Sequence, residues 1–371
     1  MAKQLQIRVL IVDDSLIFRE VIARGITSDP QIVVVAKAVD PFDARDKLLE
    51  LEPDVMICDI EMPKMNGIEF VRRLLPQYPL PVIVVSTASD AVFDAIEAGA
   101  VEFVAKPDVQ SPKSVESFIL DLIAKIKVAA KAKVIKPKQL FKDDQTRKEQ
   151  TKVMNNLATS KYIEDTGIEN NNQLDNYNPL SIIAIGASTG GTEALWTIIR
   201  ELPATIPGIV IVQHIPPIFS RMFAERLNNQ THFHVKEAQA GDYVAPGKIL
   251  IAPGDKHMRI KKIGDKYKID VFEGEKVSGH CPSVDVLFES VAKEAGSHAV
   301  GIILTGMGYD GSKGLLAMRR KGARTIGQDE QSSVVYGMPK VAYELGAIEK
   351  QASLSNIPHQ LMKILKETKK V

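Results

Sequence analysis

Between residue 7 and about residue 130, short β-branched apolar runs alternate with longer stretches whose apolar positions recur at helical spacing. The runs occupy 7–12, 32–36, 55–58, 82–85 and 101–104, and the amphipathic stretches 16–26, 44–51, 68–75 and 93–98. This alternation predicts five βα units wound into a parallel sheet with helices on both faces. Ligands of such sheets sit at the carboxyl ends of the strands.

The rhythm breaks at 131–178, which is rich in Lys, Asn, Gln and Asp and includes the tract Asn170, Asn171 and Asn172. Scattered single apolar residues cannot bury enough surface to offset ordering entropy, so a long flexible linker is expected, its start extending the helix over 114–130. As a coil its ends would average roughly 40 Å apart. Alternation resumes with a strand at 181–185, a helix at 192–201, a strand at 209–212 and a helix at 220–228. A β-rich insertion follows, with hairpin-like strands at 248–252, 257–263 and 267–271 and a turn at Gly264-Asp265. A helix at 284–295 and a strand at 298–304 lead into further βα units. The halves share no repeated motif, which excludes a duplication. The expected fold is α/β: a flavodoxin-like doubly wound domain over 1–130, the linker over 131–178, and a Rossmann-like parallel-sheet domain with a β-hairpin insertion over 179–371.

Composition changes this picture little. The chain has 371 residues, 45% hydrophobic and 25% charged, with a net charge of +1. Those values fit two ordinary globular domains and give no reason to expect bulk nucleic-acid or anionic-membrane binding. No basic recognition-helix pattern suggests a DNA-binding output. There is no signal-peptide pattern and no apolar run long enough to span a membrane, so a cytoplasmic protein without membrane insertion is expected. Cys58 and Cys281 lack metal-site spacing and read as two buried free thiols. Nothing demands more than a monomer.

The first half places acids at strand ends. The first strand ends in Asp13-Asp14 and the third in Asp59, so three carboxylates converge on one pocket. Such a cluster repels itself unless a hard cation sits within it, and Mg2+ suits oxygen ligands of this kind. The fourth strand ends in Ser86-Thr87, and the fifth in Lys106-Pro107, whose ammonium can reach a phosphoryl oxygen. Each acid alone could instead cap the following helix; all five positions at the correct strand ends point to a site. This constellation resembles the response-regulator receiver family over about 6–128, with DIEMPKMNG (59–67) as its phosphorylation loop. The resemblance implies Asp59 as phosphoacceptor and Mg2+ held by Asp13, Asp14, Asp59 and the Glu61 backbone carbonyl. It further implies phosphoryl contacts from Thr87 and Lys106, and an aromatic switch at Phe103. The Lys106–Pro107 bond is expected to be cis.

In the second half, IIAIGASTGGTEAL (182–195) runs from strand to helix across Ser188, and Gly186-Ala187-Ser188-Thr189-Gly190 fits the G-x-S-x-G elbow that exposes a serine hydroxyl. A dinucleotide loop lacks its G-x-G-x-x-G here, a P-loop its Gly-Lys-Ser/Thr, and a purely structural turn remains open. The strand IVIVQH ends at His214, and AVGIILTGMGYDG runs into a Gly-rich loop carrying Asp310. A serine nucleophile needs a base, and the base needs an acid that fixes its tautomer; these three residues can supply that chain. The order Ser, His, Asp differs from the α/β-hydrolase order. His232 and His234 share one face of an expected exposed strand, without a third metal ligand nearby. His257, His280 and His298 are isolated and read as solvated or locally hydrogen-bonded, and no acidic orienter is apparent for thiol chemistry at His280-Cys281.

Residues 180–368 resemble the catalytic domain of the chemotaxis protein-glutamate methylesterase (CheB) family. The carrying motifs are GASTGG (186–191), QHIP (213–216), PSVDVLF (282–288) and TGMGYDG (305–311). The resemblance implies Ser188 as nucleophile, His214 as base, Asp310 as orienter and the Met307 backbone amide as oxyanion contact, with no cofactor in the esterase site. Such enzymes hydrolyse glutamyl γ-methyl esters of methyl-accepting chemotaxis receptors, many also deamidate receptor glutamines, and a chemotaxis histidine kinase supplies the phosphoryl group. A mainly glutamine-deamidating enzyme and a non-catalytic response-regulator adaptor are the alternatives; three intact catalytic residues argue against the adaptor.

Overall fold

A computed structural model describes residues 6–63, 65–87, 91–107, 111–134, 178 and 180–368. The expected linker therefore lies, from 135 to 177, outside the described residues.

The N-terminal half runs β1 (Ile7–Val12), α1 (Leu16–Ile26), β2 (Ile32–Ala38), α2 (Pro41–Leu51), β3 (Val55–Asp59), α3 (Gly67–Leu74), β4 (Val82–Ser86), α4 (Ala91–Glu97), β5 (Glu102–Ala105) and α5 (Pro112–Ala129). Its sheet is parallel in the order β2-β1-β3-β4-β5. β3 and β4 are buried along their whole length, as largely apolar strands covered by helices on both faces must be. Side chains start the helices: Ser15 accepts from the Phe18 amide, Asp40 from those of Phe42 and Asp43, and Asn66 from that of Glu69.

In the C-terminal half, β6 (Ile182–Ala187), α6 (Gly191–Ile199), β7 (Ile209–Gln213), α7 (Phe219–Gln230), β8 (His234–Glu237) and β9 (Lys248–Ile251) are followed by the hairpin β10 (His257–Ile263) and β11 (Lys266–Phe272). Then come α8 (Val284–Glu294), β12 (Ala299–Ile303), α9 (Ser312–Arg320), β13 (Arg324–Gln328), α10 (Met338–Glu344), β14 (Lys350–Ala352) and α11 (Ile357–Thr368). Seven strands form one parallel sheet in the order β14-β13-β12-β6-β7-β9-β8. The chain leaves β6 toward β7 on one side and later returns to pair β12 on the other, so β6 is the topological switch point, where α/β sheets open a crevice.

One expectation about the insertion is corrected. The strand at 248–252 does not belong to the hairpin: β9 lies in the main sheet, parallel to β7 and β8. Its Ile249, Leu250 and Ile251 are fully buried, which a parallel strand covered on both faces provides and a two-stranded ribbon does not. The hairpin itself is β10–β11 alone, closed at Gly264-Asp265 between the pair Ile263 and Lys266.

The two halves pack against each other through α4 and β5 on one side and α6 and α7 on the other. The Phe103 and Phe219 rings lie 4.6 Å apart between centroids, and those of Phe93 and Phe223 5.7 Å apart and stacked. Aromatic pairs of this kind contribute about 0.5–1.5 kcal/mol beyond their area burial. Arg226 reaches across to Asp94 (2.7 Å) and Glu97 (2.8 Å). The chain beyond α5 is docked as well: the Lys133 amide donates to the Val334 carbonyl at 2.9 Å, and Val134 packs on the apolar core.

Candidate functional site

Three neighbouring strands of the C-terminal sheet, β12, β6 and β7, deliver Asp310, Ser188 and His214 to one end of the sheet. Ser188 directly follows β6, and its amide donates to the Thr305 carbonyl at 3.0 Å, tying the Ser188 turn to the loop after β12. Gln213 Nε2 donates to the Ser188 carbonyl at 2.9 Å and fixes the turn from the other side. Two glycines make this approach possible. A Cβ on Gly306 would stand 2.6 Å from the Ser188 Cβ, and Gly190 adopts φ +75° against the Val334 side chain.

His214 is held at one nitrogen and free at the other. Nε2 lies 2.8 Å from Asp310 Oδ2, whereas Nδ1 is buried without a hydrogen-bond partner. Asp310 is 1% exposed and fully subscribed. Its Oδ1 accepts from Ser283 Oγ (2.8 Å) and the Asp285 amide (3.0 Å), and its Oδ2 also accepts from the Val284 amide (2.7 Å). Burial alone would raise the Asp310 pKa, but the His214 bond and these donors hold it below the usual carboxylate range. Because Val284 and Asp285 open α8, Asp310 also sits at that helix's positive end. The Met307 and Thr189 amides donate to no backbone or side-chain acceptor among the described residues.

Sequence reasoning missed two parts of this site. His280 stacks on His214, with ring centroids 3.6 Å apart and planes 10° apart. Burial first, then the neighbouring imidazole, pushes the His280 pKa down to about 4, so it presents an uncharged face to His214 at neutral pH. The other part is the PSVD segment, which supplies three of the donors to Asp310. Asp285 in turn accepts from Ser278 Oγ and from the Gly314 amide of α9. Of the remaining histidines, His234 begins β8 and is exposed, whereas His232 is exposed in the bend before β8, so the two do not share a strand face as expected; His257 is buried between the Glu275 carbonyl and the Ser283 amide. Cys58 is buried as expected, but Cys281 is only half-buried, because it lies on the loop ahead of α8 rather than in the sheet.

At the other sheet, Asp13, Asp14 and Asp59 each offer an oxygen within 4.8 Å of the others. The helix-cap alternative does not hold for them, since Ser15 and Asn66 cap α1 and α3. Lys106 Nζ lies 2.7 Å from Asp59 Oδ2 and 3.6 Å from Asp13 Oδ2, and the latter oxygen is buried without a hydrogen bond. Burial, and then the neighbouring carboxylates, raise the pKa of Asp13 (from Asp59 and Asp14) and of Asp59 (from Asp14), against the lowering pull of Lys106. An orphaned buried carboxylate oxygen facing two more acids fits a hard divalent cation. The Thr87 hydroxyl donates to Glu61 Oε1 at 3.0 Å, and the Glu61 carbonyl accepts no hydrogen bond among the described residues. Phe103 is buried and faces the C-terminal half. The Lys106–Pro107 bond is not cis; the cis peptide among the described residues is Cys281–Pro282. Lys106 instead continues the β5 ladder through its amide to the Ser86 carbonyl (2.7 Å) and reaches Asp59 from there.

Comparisons with known proteins cover both halves of the chain. The chain matches the CheB methylesterase family over residues 183–361 and the response regulator receiver domain over 9–113. It is 54% identical to protein-glutamate methylesterase/protein-glutamine glutaminase 2 of Syntrophomonas wolfei, over 98% of both chains. It is 45% identical to the protein-glutamate methylesterase/protein-glutamine glutaminase of Syntrophotalea carbinolica, again over 98% of both. Among solved structures, the CheB methylesterase catalytic domain of Thermotoga maritima is 38% identical over 50% of this chain and 98% of that one, with a TM-score of 0.49. Among the described residues, no helix is long and apolar enough to cross a membrane. The chain belongs to the protein-glutamate methylesterase/protein-glutamine glutaminase family, a hydrolase of chemotactic two-component signalling that carries its own receiver domain.

Proposed function

We propose that the chain hydrolyses glutamate γ-methyl esters on chemotaxis receptors, in the cytoplasm, through Ser188, His214 and Asp310, and that phosphorylation of Asp59 switches this activity on. The observation that carries the catalytic part is the two-sided imidazole: Nε2 engaged by Asp310, Nδ1 buried and unpartnered. Nδ1 takes the proton as Ser188 Oγ attacks the ester carbonyl carbon. The Met307 amide, with that of Thr189, stabilises the oxyanion. Collapse breaks the bond to the methoxy oxygen, which leaves as methanol with the proton from Nδ1. Water, deprotonated by Nδ1 in its turn, then cleaves the acyl-enzyme to a glutamate carboxylate and restores Ser188. The same steps on an amide release ammonia and account for the glutaminase half of the relatives' names.

In the receiver, Asp13, Asp14, Asp59 and the Glu61 carbonyl would hold Mg2+, which neutralises charge as the phosphoryl group arrives from a histidine kinase. Lys106 then pairs with the phosphoryl oxygens, and Thr87 leaves Glu61 to hydrogen-bond them. The contact through Phe93, Phe103 and Arg226 covers the approach to Ser188, and phosphorylation shifts the population toward the parted arrangement. The receiver over 1–130, connector over 131–178 and hydrolase over 179–371 are the working divisions of this scheme. Its test is methanol release from methylated receptor with and without acetyl phosphate. No release from the phosphorylated wild type would remove the esterase reading, and ammonia release alone from amidated receptor would favour a deamidase.

A further inference from the structure

Thr189 carries a hydroxyl that the catalytic half does not use. The residue is 7% exposed and adjoins the nucleophile, and its carbonyl is held by Thr305 Oγ1. Its own Oγ1 has one partner among the described residues, in the other half of the molecule: Glu102 Oε2 on β5, at 3.0 Å. Glu102 is prepared for that contact. Its Oε1 accepts from the Phe103 amide at 3.1 Å and lies 3.9 Å from Lys125 Nζ. A glutamate carboxylate thus rests against the residue next to Ser188, and a glutamate carboxylate is what the proposed reaction produces.

We propose that the Thr189 hydroxyl is the contact for the glutamyl carboxyl group of substrate and product, and that Glu102 occupies it in the docked state as an internal product analogue. This rests on the esterase reading above. Consecutive Cα atoms are about 3.8 Å apart, so a carbonyl attacked by Ser188 lies within reach of Thr189. An ionised carboxylate carbon is a poor electrophile, so Glu102 fills the position without being consumed. Tethering gives it a high effective concentration, and it competes with receptor glutamyl groups until the halves part. The docked state then blocks the site by chemical likeness as well as by bulk.

The test uses the full chain and, as probe, N-acetylglutamate N-methylamide, whose side-chain carboxylate mimics the product. Calorimetry without phosphodonor should show Glu102→Ala binding the probe several-fold more tightly than wild type, with basal methanol release raised by a similar factor, since both report how often Thr189 is free. With acetyl phosphate, Thr189→Val should weaken probe binding about tenfold, the size expected for losing one hydrogen bond to a charged group, and raise KM for the uncharged ester by a smaller, severalfold factor, with kcat within about threefold. Thr189→Ser should restore both. If Thr189→Val raises basal release but leaves the activated KM and probe affinity unchanged, the hydroxyl is a docking contact only and the proposal falls. Unchanged probe affinity in Glu102→Ala overturns the product-analogue role. Probe binding needs no turnover, so absent methanol release with the predicted binding pattern would sink the esterase reading and leave the subsite standing.

Discussion

Asp310 meets His214 at Nε2, 2.8 Å away, and His214 Nδ1 is buried without a hydrogen-bond partner. In the chymotrypsin arrangement the acid holds Nδ1 and the base works through Nε2; the chain of roles proposed above would run through the inverted imidazole. Ser188→Ala should therefore abolish methanol release while Asp59 still accepts phosphate. Asp310→Asn should retain a measurable rate, about 10³–10⁴-fold down, because His214 survives in the wrong tautomer. Residual Ser188→Ala activity within a few-fold of wild type would remove the nucleophile assignment.

Ser283→Ala removes both a donor to Asp310 and the acceptor for the Val286 amide at the start of α8. A cost of about 1–2 kcal/mol in stability is expected, read as a lower urea midpoint at unchanged slope. Activity should fall less than in Asp310→Asn, since two backbone amides still hold the carboxylate. A drop as deep as that of Asp310→Asn would mean that Ser283 touches the reaction itself.

The receiver separates acceptance from response. Asp59→Asn should lose acetyl-phosphate stimulation, because an amide is not a comparable acceptor. Lys106→Met should take up phosphate and respond weakly, lacking the cation for the new anionic oxygens. Full labelling of Asp59→Asn would send the search for the phosphoacceptor elsewhere.

Loosening the contact between the halves should raise basal activity. Arg226→Ala deletes two ion pairs, and with partly exposed partners a severalfold rise is expected rather than full activation. The same variant should need less phosphodonor for half-maximal stimulation. Unchanged basal release in Arg226→Ala and in Phe103→Ala together would show that the contact does not restrain the enzyme.

Glu193, half-buried at this contact, should make it sensitive to pH. Burial, and then Glu97 of the opposite half, raise its pKa from 4.5 to about 7. The docked state thus keeps a proton that a freed Glu193 gives up. Docking is undisturbed below about pH 4.5, weakens as pH climbs to about 7, and changes no further above that. Basal methanol release, divided by the fully phosphorylated rate, should rise across this window in wild type and stay flat in Glu193→Gln. A parallel rise in Glu193→Gln would place the titrating group elsewhere.

The parts legible in the sequence were those written at strand ends. Asp13, Asp59, Lys106, Ser188, His214 and Asp310 each follow an apolar run closely, and parallel topology gathers such positions without further information. His280 was not legible, because nothing in its spacing announces that the loop ahead of α8 folds its ring onto His214. Ser283 and Asp285 stood in a recognised motif, yet their task is to donate to an acid 25–27 residues away. β9 was misplaced because four residues bounded by turns read alike as ribbon or buried strand, and only the burial of both its faces decides. Glu102 and Thr189 meet across 87 residues of chain, a pairing that periodicity does not carry.

The aromatic seam of Phe93, Phe103, Phe219 and Phe223 has a thermal consequence. Parting the halves wets these rings, so opening carries a positive heat-capacity change. Apolar association weakens on cooling, because its driving force near room temperature is entropic. On the proposed switching scheme, the unphosphorylated molecule should therefore be held shut more firmly in warm cells than in cold ones, and the fraction standing open without a signal should grow as the temperature falls.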